Sequence, residues 1–296
     1  SFLKKVVFSS FFRTAKIVLS SDITGKSKIL YNRDVTQRVQ AIAPFLMLDS
    51  DPYIVLSKEG KLFWIIDAYT VSSRLPYSKP LKNRVNYMRN SVKAVVDAYN
   101  GSLSFYISDV KDPFIQVYSA IFPTMFRPLS AMPQDLREHI RFPKDLFKVQ
   151  TSLYGTYHMD DAKVFYNKED LWEVPVHGEK QMEPYYLIMK LPEQKNEEYV
   201  LLTPYTPSKR DNLAAWFAAR CDGENYGKLV VYTFPRDRLV FGPRQIDARI
   251  DQDSYISQQL TLWGQRGSQV IRGRLLIIPV ETSLLYIQPL YLAAED

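Results

Sequence analysis

The sequence contains a single cysteine, Cys221, among 296 residues. One thiol excludes an intrachain disulfide and a zinc site built from several cysteines. It is compatible with the cytoplasm, and equally with a bacterial periplasm or cell surface that uses no disulfides. A nucleophilic cysteine needs a base beside it, whereas the apolar segment WFAARC favours a small buried thiol. We therefore predict that Cys221 is structural.

Long apolar runs are also missing. The longest uncharged stretch, residues 113–126, is interrupted by prolines and polar residues. No run reaches the roughly 18–20 residues that a membrane-spanning helix needs. The first 20 residues do not resemble a signal peptide, because Arg13 and Lys16 interrupt the apolar region and no small-residue cleavage site follows.

Motifs for nucleophilic, phosphate or dinucleotide chemistry are absent as well. The chain has only 11 glycines, and none lies in a G-x-S-x-G, a P-loop or a G-x-G-x-x-G pattern. The sequence therefore predicts no catalytic residue and no cofactor. It predicts architecture in more detail than chemistry.

The strongest local signal that is present is Asn100-Gly101, which lies between two runs rich in β-branched and aromatic residues. This dipeptide is typical of a two-residue type I′ hairpin. A two-residue loop pairs Ala98 with Leu103 and Val96 with Phe105, which places the apolar pairs on one face and more polar pairs on the other. We predict a half-buried antiparallel ribbon within a core-forming sheet.

The rest of the chain predicts an α+β fold, mainly antiparallel sheets and hairpins with a helical middle section. No regular βαβ alternation is present, which argues against a doubly wound fold. We divide the chain into basic helices at 1–50, a hairpin-rich sheet region at 51–111, a helical and irregular segment at 112–181, and a second strand-rich region with one helix at 182–296. Helices are expected at 1–20, 34–46, 114–122, 133–140, 143–154 and within 246–263, and further strands at 53–56, 62–69, 185–191, 199–203, 213–220, 229–234, 270–278 and 284–292.

The net charge of +6 is concentrated at the N-terminus, where residues 1–50 contain eight Lys and Arg against three Asp. A nucleic-acid surface spreads its basic residues over a face and interleaves them with aromatics, so a nucleic-acid partner is not expected. At 100° per residue, 1–20 forms an amphipathic helix whose apolar face consists of Leu3, Val7, Phe8, Phe11, Ala15 and Val18. Such a helix either lies on an anionic membrane or packs on its own domain. The basic residues of this segment are Lys4, Lys5, Arg13 and Lys16.

Two clusters are candidates for ligand binding. His158, Asp160 and Asp161 offer an imidazole and two carboxylates within four residues, which suits either a divalent metal or a polar turn capped by one aspartate. Arg137 and Arg141 are four residues apart, so on a helix they share a face that could bind an anion or simply be solvated.

Six stretches of the chain form long, distinctive phrases: DVTQRVQAIAPF at 34–45, the WIIDAYT to RLPY run within 62–77, YMRNSVKAVVDAY at 87–99, YHMDDAKVFYNKEDLW at 157–172, AWFAARCDGENYGKLVVY at 215–232, and 249–291, which begins RIDQDSYISQQLTLW. Together they resemble a family of large uncharacterised bacterial integral membrane proteins. The resemblance implies about seven N-terminal transmembrane helices followed by a long soluble region that faces outward, and it implies no activity or catalytic residue. This chain would then be an excised soluble fragment, with residues 1–20 near the membrane junction.

We therefore expect a non-enzymatic module on the extracytoplasmic face of the cell membrane that binds a ligand or partner or supports the membrane part. Its expected partners are the membrane portion of the same polypeptide and an anionic lipid surface. The alternative is a metal-assisted hydrolase of the cell envelope that uses His158, Asp160 and Asp161. The oligomeric state is not predicted.

Overall fold

The computed structural model describes residues 2–29, 31–81, 84–178, 180–235, 237–265, 267–280 and 283–294. It confirms the α+β class, with helices and mostly antiparallel strands. The residues group into two compact units, Ser1–Pro44 and Phe45–Asp296, which we call the N-terminal unit and the main unit. The four-segment division stays a prediction.

The N-terminal unit contains three short helices: α1 (Phe2–Phe11), α2 (Lys16–Leu19) and α3 (Val35–Ile42). The prediction of one helix over 1–20 is wrong, because the helix ends at Phe11 and Arg13 takes a left-handed φ of 49°. The prediction of a helix after Asp34 is confirmed. The Asp34 side chain caps α3 by accepting from the Gln37 amide at 2.8 Å, and the helix ends before Pro44, which disfavours helical backbone in the residue before it.

The first sheet of the main unit has six strands. The long central strands β3 and β4 are antiparallel, and β6 pairs with β5 in parallel. β1 and β2 both pair with the edge of β3 that lies opposite β4. The strands are β1 (Met47–Leu48), β2 (Tyr53–Leu56), β3 (Leu62–Ser72), β4 (Tyr87–Asp97), β5 (Leu103–Ile107) and β6 (Phe126–Pro128).

The hairpin between β4 and β5 forms as expected, but its register is shifted by two residues. Val96 pairs with Leu103, and the Asp97 amide donates to the Ser102 carbonyl at 3.0 Å, so the loop has four residues, 98–101, and not two. The Asp97 carboxylate causes the longer loop, because its Oδ1 accepts from the amides of Tyr99 at 2.8 Å and Asn100 at 2.9 Å. A shift of two preserves the faces of the strands. The expected half-burial is nevertheless wrong, since both faces of β4 are buried from Ser91 to Val96.

The helical middle section contains α4 (Pro113–Ile121), α5 (Gln134–Arg137), α6 (Lys144–Tyr157) and α7 (Ala162–Asn167). The helical spacing of Leu146, Val149, Gln150 and Leu153 predicts that these four form the inward stripe of α6. That prediction is wrong, because the buried positions of α6 are Phe147, Thr151 and Gly155. Gly155 determines which face of α6 is buried. A Cβ at 155 would lie 2.4 Å from the carbonyl oxygen of Trp172, so this side of the helix approaches backbone directly.

The second sheet runs β10–β11–β12–β13, all antiparallel, and β7 pairs with the end of β11. The helix predicted within 246–263 is two helices, because Asp253 ends the first and caps the second. The remaining elements are β7 (Trp172–Glu173), β8 (Val176–His177), β9 (Lys180–Gln181), β10 (Tyr185–Lys190), β11 (Glu197–Pro207), β12 (Ala215–Arg220), β13 (Leu229–Thr233), α8 (Pro243–Gln252), α9 (Ser254–Trp263), β14 (Ser268–Arg272), β15 (Leu276–Val280), β16 (Ser283–Ile287) and β17 (Leu290–Ala294).

The central strands of the second sheet, β11 and β12, are buried on both faces. One face carries Phe217 and Tyr205 and packs against Phe147 of α6. The other face carries Leu202 and Trp216 in a second apolar cluster. Every residue of β12 is buried, which explains its continuous apolar sequence.

Cys221 follows β12 and is buried, with 3% of its surface exposed. Burial raises the pKa of its thiol to about 11. Its Sγ accepts a weak hydrogen bond from the Phe142 amide at 3.4 Å. The predicted structural role agrees with this environment.

Candidate functional site

The first candidate site is the outward half of α1. Five apolar side chains, Phe2, Leu3, Val6, Val7 and Phe11, are between 41% and 72% exposed there. At 100° per residue they occupy about half of the helix circumference. We call these five residues the N-terminal apolar surface.

The opposite half of α1 contacts the rest of its own unit. The ring centroid of Phe8 lies 5.9 Å from that of Tyr31, and the Lys5 Nζ donates to the Ser20 carbonyl at 3.1 Å. Arg38 donates to the carbonyl of Tyr31 at 3.0 Å and to that of Asn32 at 3.1 Å. Phe8 and Lys5 thus use the inward side of α1. On the outward side Phe11 also contacts Tyr31, with ring centroids 6.1 Å apart, yet all five apolar side chains of that side stay at least 41% exposed.

The same unit carries exposed cations. Lys4, Arg13 and Lys16 are exposed, and none of them forms an ion pair with a residue in the described ranges. Lys5 is the exception, since its ammonium is held by a backbone carbonyl. The N-terminal unit has eight Lys and Arg against two Asp, a balance of +6 that equals the net charge of the whole chain. The unit thus combines exposed apolar area with the whole net positive charge of the chain.

The predicted cluster at 158–161 takes separate structural roles. The His158 ring stacks on Trp172 with centroids 3.8 Å apart, and its Nδ1 lies 3.2 Å from the Tyr154 carbonyl. The Asp161 carboxylate caps α7 by accepting from the amides of Lys163 at 2.8 Å and Val164 at 2.9 Å. Asp160 is exposed.

No group of three or more His, Cys, Asp or Glu within the described residues is placed to hold a metal ion. The polar-turn interpretation accounts for Asp161. The described residues do not arrange His158, Asp160 and Asp161 as ligands of one metal ion, and the metal site stays a prediction.

The two predicted anion-binding arginines do not share a helix face, because α5 ends at Arg137 and Arg141 lies beyond it. Arg137 is exposed. The Arg141 guanidinium is held by the Asp51 carboxylate at 2.7 Å and lies 4.0 Å from the ring centroid of Tyr53. Arg141 therefore joins β2 to the segment before α6, and its charge is already compensated.

One buried charged pair was missed by the sequence analysis. Lys93 of β4 is fully buried and forms an ion pair with Asp67, its cross-strand partner on β3. Asn90 also donates to Asp67 at 3.0 Å, and Lys93 donates to the hydroxyl of Tyr226 at 2.8 Å. Burial by itself lowers the pKa of Lys93, but the Asp67 carboxylate and the hydroxyls of Tyr226 and Tyr53 together outweigh burial and raise that pKa. The available signal was a single charge inside each of two short apolar runs, Asp67 within 63–69 and Lys93 within 92–96.

None of the helices in the described ranges is both long enough and apolar enough to cross a bilayer. Fold and surfaces together define a two-unit α+β protein, with antiparallel sheets in the main unit and a basic, apolar N-terminal unit.

The chain belongs to the uncharacterised protein family UPF0182, whose family model matches residues 1–263. It is 67% identical over 295 residues to a UPF0182 protein of Trichlorobacter lovleyi and 67% identical over 296 residues to one of Geobacter sulfurreducens. It is 55% identical over 300 residues to a UPF0182 protein of Pelotomaculum thermopropionicum. Each comparison covers 100% of this chain and 33% of the relative, so the chain spans about one third of the length of these proteins. No solved structure matches the chain.

Proposed function

We propose that the N-terminal unit holds this chain against an anionic membrane surface. In this proposal the main unit is a non-enzymatic module on the extracytoplasmic face of a larger integral membrane protein, where it binds a partner or supports the membrane part. The proposal is supported by one observation above all: five large apolar side chains are exposed on one half of α1, beside exposed lysines.

Exposure of that apolar surface to water is energetically unfavourable. A contiguous apolar patch bordered by cations is typical of an interaction site. An interfacial helix buries its apolar half at the boundary of headgroups and acyl chains, while its cations remain at the level of the anionic headgroups. Each lysine near such a surface contributes about 1 kcal/mol. The length of the relatives and the family resemblance support the membrane setting, because both allow for segments beyond this chain.

The test is co-sedimentation of the 296-residue chain with vesicles. Binding is measured with phosphatidylcholine alone and with phosphatidylcholine mixed with phosphatidylglycerol. We expect binding to the anionic vesicles that weakens as salt is raised, since salt screens the lysines. The double variant Leu3→Glu/Val7→Glu should weaken this binding about tenfold or more, because inserting each apolar side chain contributes on the order of 1 kcal/mol.

The matched control is Ile188→Glu, since Ile188 of β10 is 70% exposed but lies in the main unit. This variant should bind vesicles like the unchanged chain. Equal binding by Leu3→Glu/Val7→Glu would refute the proposal. A marked fall in melting temperature in that variant would instead indicate that the N-terminal apolar surface packs within the protein.

A further inference from the structure

We propose that a cleft on the second sheet binds a phosphate-bearing small molecule. The cleft has a volume of about 800 Å³ and lies between the end of α7, the loop from β11 to β12 and the segment that follows β13. Pockets for small organic ligands range from about 300 to 1,000 Å³. We call it the β7 cleft, because Leu171 and Trp172, at the start of β7, form one of its walls.

Four cationic side chains line the β7 cleft. Lys168 follows α7, Lys209 and Arg210 lie in the β11–β12 loop, and Arg238 follows β13. All four are exposed, and none forms an ion pair with a described residue. Three separate chain segments therefore bring uncompensated positive charge to one concave surface.

The two acidic side chains of the lining have partners outside this set of four cations. The Glu169 carboxylate accepts from the side-chain amide of Asn167 at 2.9 Å. The Asp170 carboxylate accepts from the indole nitrogen of Trp172 at 3.2 Å. Four cations against two carboxylates give the cleft an excess of two positive charges in a main unit whose basic and acidic residues balance.

Several other basic side chains of the main unit do have a carboxylate partner. Arg89 pairs with Asp109 at 2.5 Å, Lys148 with Glu183 at 2.6 Å, and Arg220 with Glu198. Lysine and arginine donate several charge-assisted hydrogen bonds to phosphate, and arginine does so through two parallel N–H groups. The charge of the β7 cleft thus fits a phosphate group from solution.

The rest of the lining fits an organic ring attached to that phosphate. Trp172, Pro207, Phe234 and Pro235 form apolar walls. Asn212 adds an amide. A sugar ring presents an apolar face to such walls and hydroxyls to the amide, so a sugar phosphate matches both parts of the lining.

The test is isothermal titration of the 296-residue chain with glucose 1-phosphate and with glucose. We expect saturable binding of glucose 1-phosphate, weakened by salt, and much weaker binding of glucose. Arg210→Glu should reduce the affinity about tenfold or more, because it removes charge-assisted hydrogen bonds and adds repulsion. The matched control is Arg127→Glu, an exposed arginine on β6 of the first sheet, which should leave the affinity unchanged.

Vesicle binding by Arg210→Glu distinguishes the two sources of phosphate. If this variant loses glucose 1-phosphate and keeps anionic vesicles, the ligand is soluble. If it loses both, the β7 cleft takes a phosphate headgroup. No binding of glucose 1-phosphate, or equal binding by Arg210→Glu, would overturn the proposal. Neither result depends on the N-terminal apolar surface, which Leu3→Glu/Val7→Glu tests separately.

Discussion

The two units handle charge in opposite ways. The N-terminal unit has eight basic residues against two acidic ones and leaves Lys4 and Lys16 exposed and unpaired with any described residue. The main unit has equal numbers of basic and acidic residues and places Lys93 entirely inside, beside Asp67. The comparison shows that a lysine's contribution to stability depends on its surroundings. A buried ammonium needs its partner, whereas an exposed one is already hydrated.

The largest expected effect comes from breaking the buried pair. Lys93→Met leaves the Asp67 carboxylate buried with only the Asn90 amide as a described side-chain donor. We expect the free energy of unfolding to fall by about 3–5 kcal/mol, measured by urea denaturation. Lys190→Met on β10 is the matched control, because Lys190 is exposed, and it should change stability by less than about 0.5 kcal/mol.

The double variant Lys93→Met/Asp67→Leu sharpens this test. Removing both charges replaces the pair with apolar side chains, which is often neutral or stabilising. We expect it to regain most of the loss seen in Lys93→Met. A double variant as unstable as the single one would mean that Lys93 contributes through packing and not through its charge.

A smaller effect is expected at Asp112, which links two strands of the first sheet to α4. Its carboxylate accepts from Thr70 at 2.5 Å, Ser91 at 2.6 Å and Tyr87 at 2.7 Å. Burial raises the pKa of Asp112, but these hydrogen bonds outweigh burial and lower it below its ordinary value. Asp112→Asn should cost about 1–3 kcal/mol at pH 7, again by urea denaturation.

The pH dependence at Asp112 has a defined sign. A lowered pKa in the folded state stabilises the protein above the ordinary Asp pKa of about 3.9, and that stability is lost as the pH falls through the folded value. The penalty of Asp112→Asn should therefore shrink below about pH 4. Asp160→Asn is the control, since Asp160 is exposed. A penalty that stays constant down to pH 2 would contradict the assignment.

The smallest effect is expected from reversing exposed charge in the N-terminal unit. Lys4→Glu/Lys16→Glu lowers the net charge of the chain by four, yet the free energy of unfolding should stay within about 0.5 kcal/mol. Thermal denaturation with circular dichroism measures this. A loss above about 1 kcal/mol would show that these lysines have a structural partner, and the contrast with Lys93 would no longer hold.

The fold could be predicted from the sequence wherever the signal was local. The helices expected at 34–46 and 114–122 form, with Asp34 and Asp112 as their caps, because an aspartate cap acts within its own turn. The hairpin at Asn100-Gly101 was located but misregistered, since Asp97 competes for the loop amides through its side chain. The buried face of α6 could not be predicted, because it depends on the close approach of Gly155 to the Trp172 carbonyl on β7.

The sites were harder to predict because they depend on long-range placement. Lys93 and Asp67 are 26 residues apart and meet only through the β3–β4 register. Arg141 looked available for a ligand, yet its partner Asp51 is 90 residues away. The N-terminal surface was the exception, since 100° periodicity within one helix reveals an apolar face directly, although the break after Phe11 was not visible.

The unequal distribution of net charge between the two units also affects the solubility of the protein. A cut after Pro44 would release a fragment carrying the whole excess of six positive charges and leave residues 45–296 with none. Proteins with near-zero net charge repel one another weakly and precipitate more readily. The N-terminal unit thus acts as the electrostatic solubiliser of the main unit, and the two fragments would separate on a cation exchanger at neutral pH.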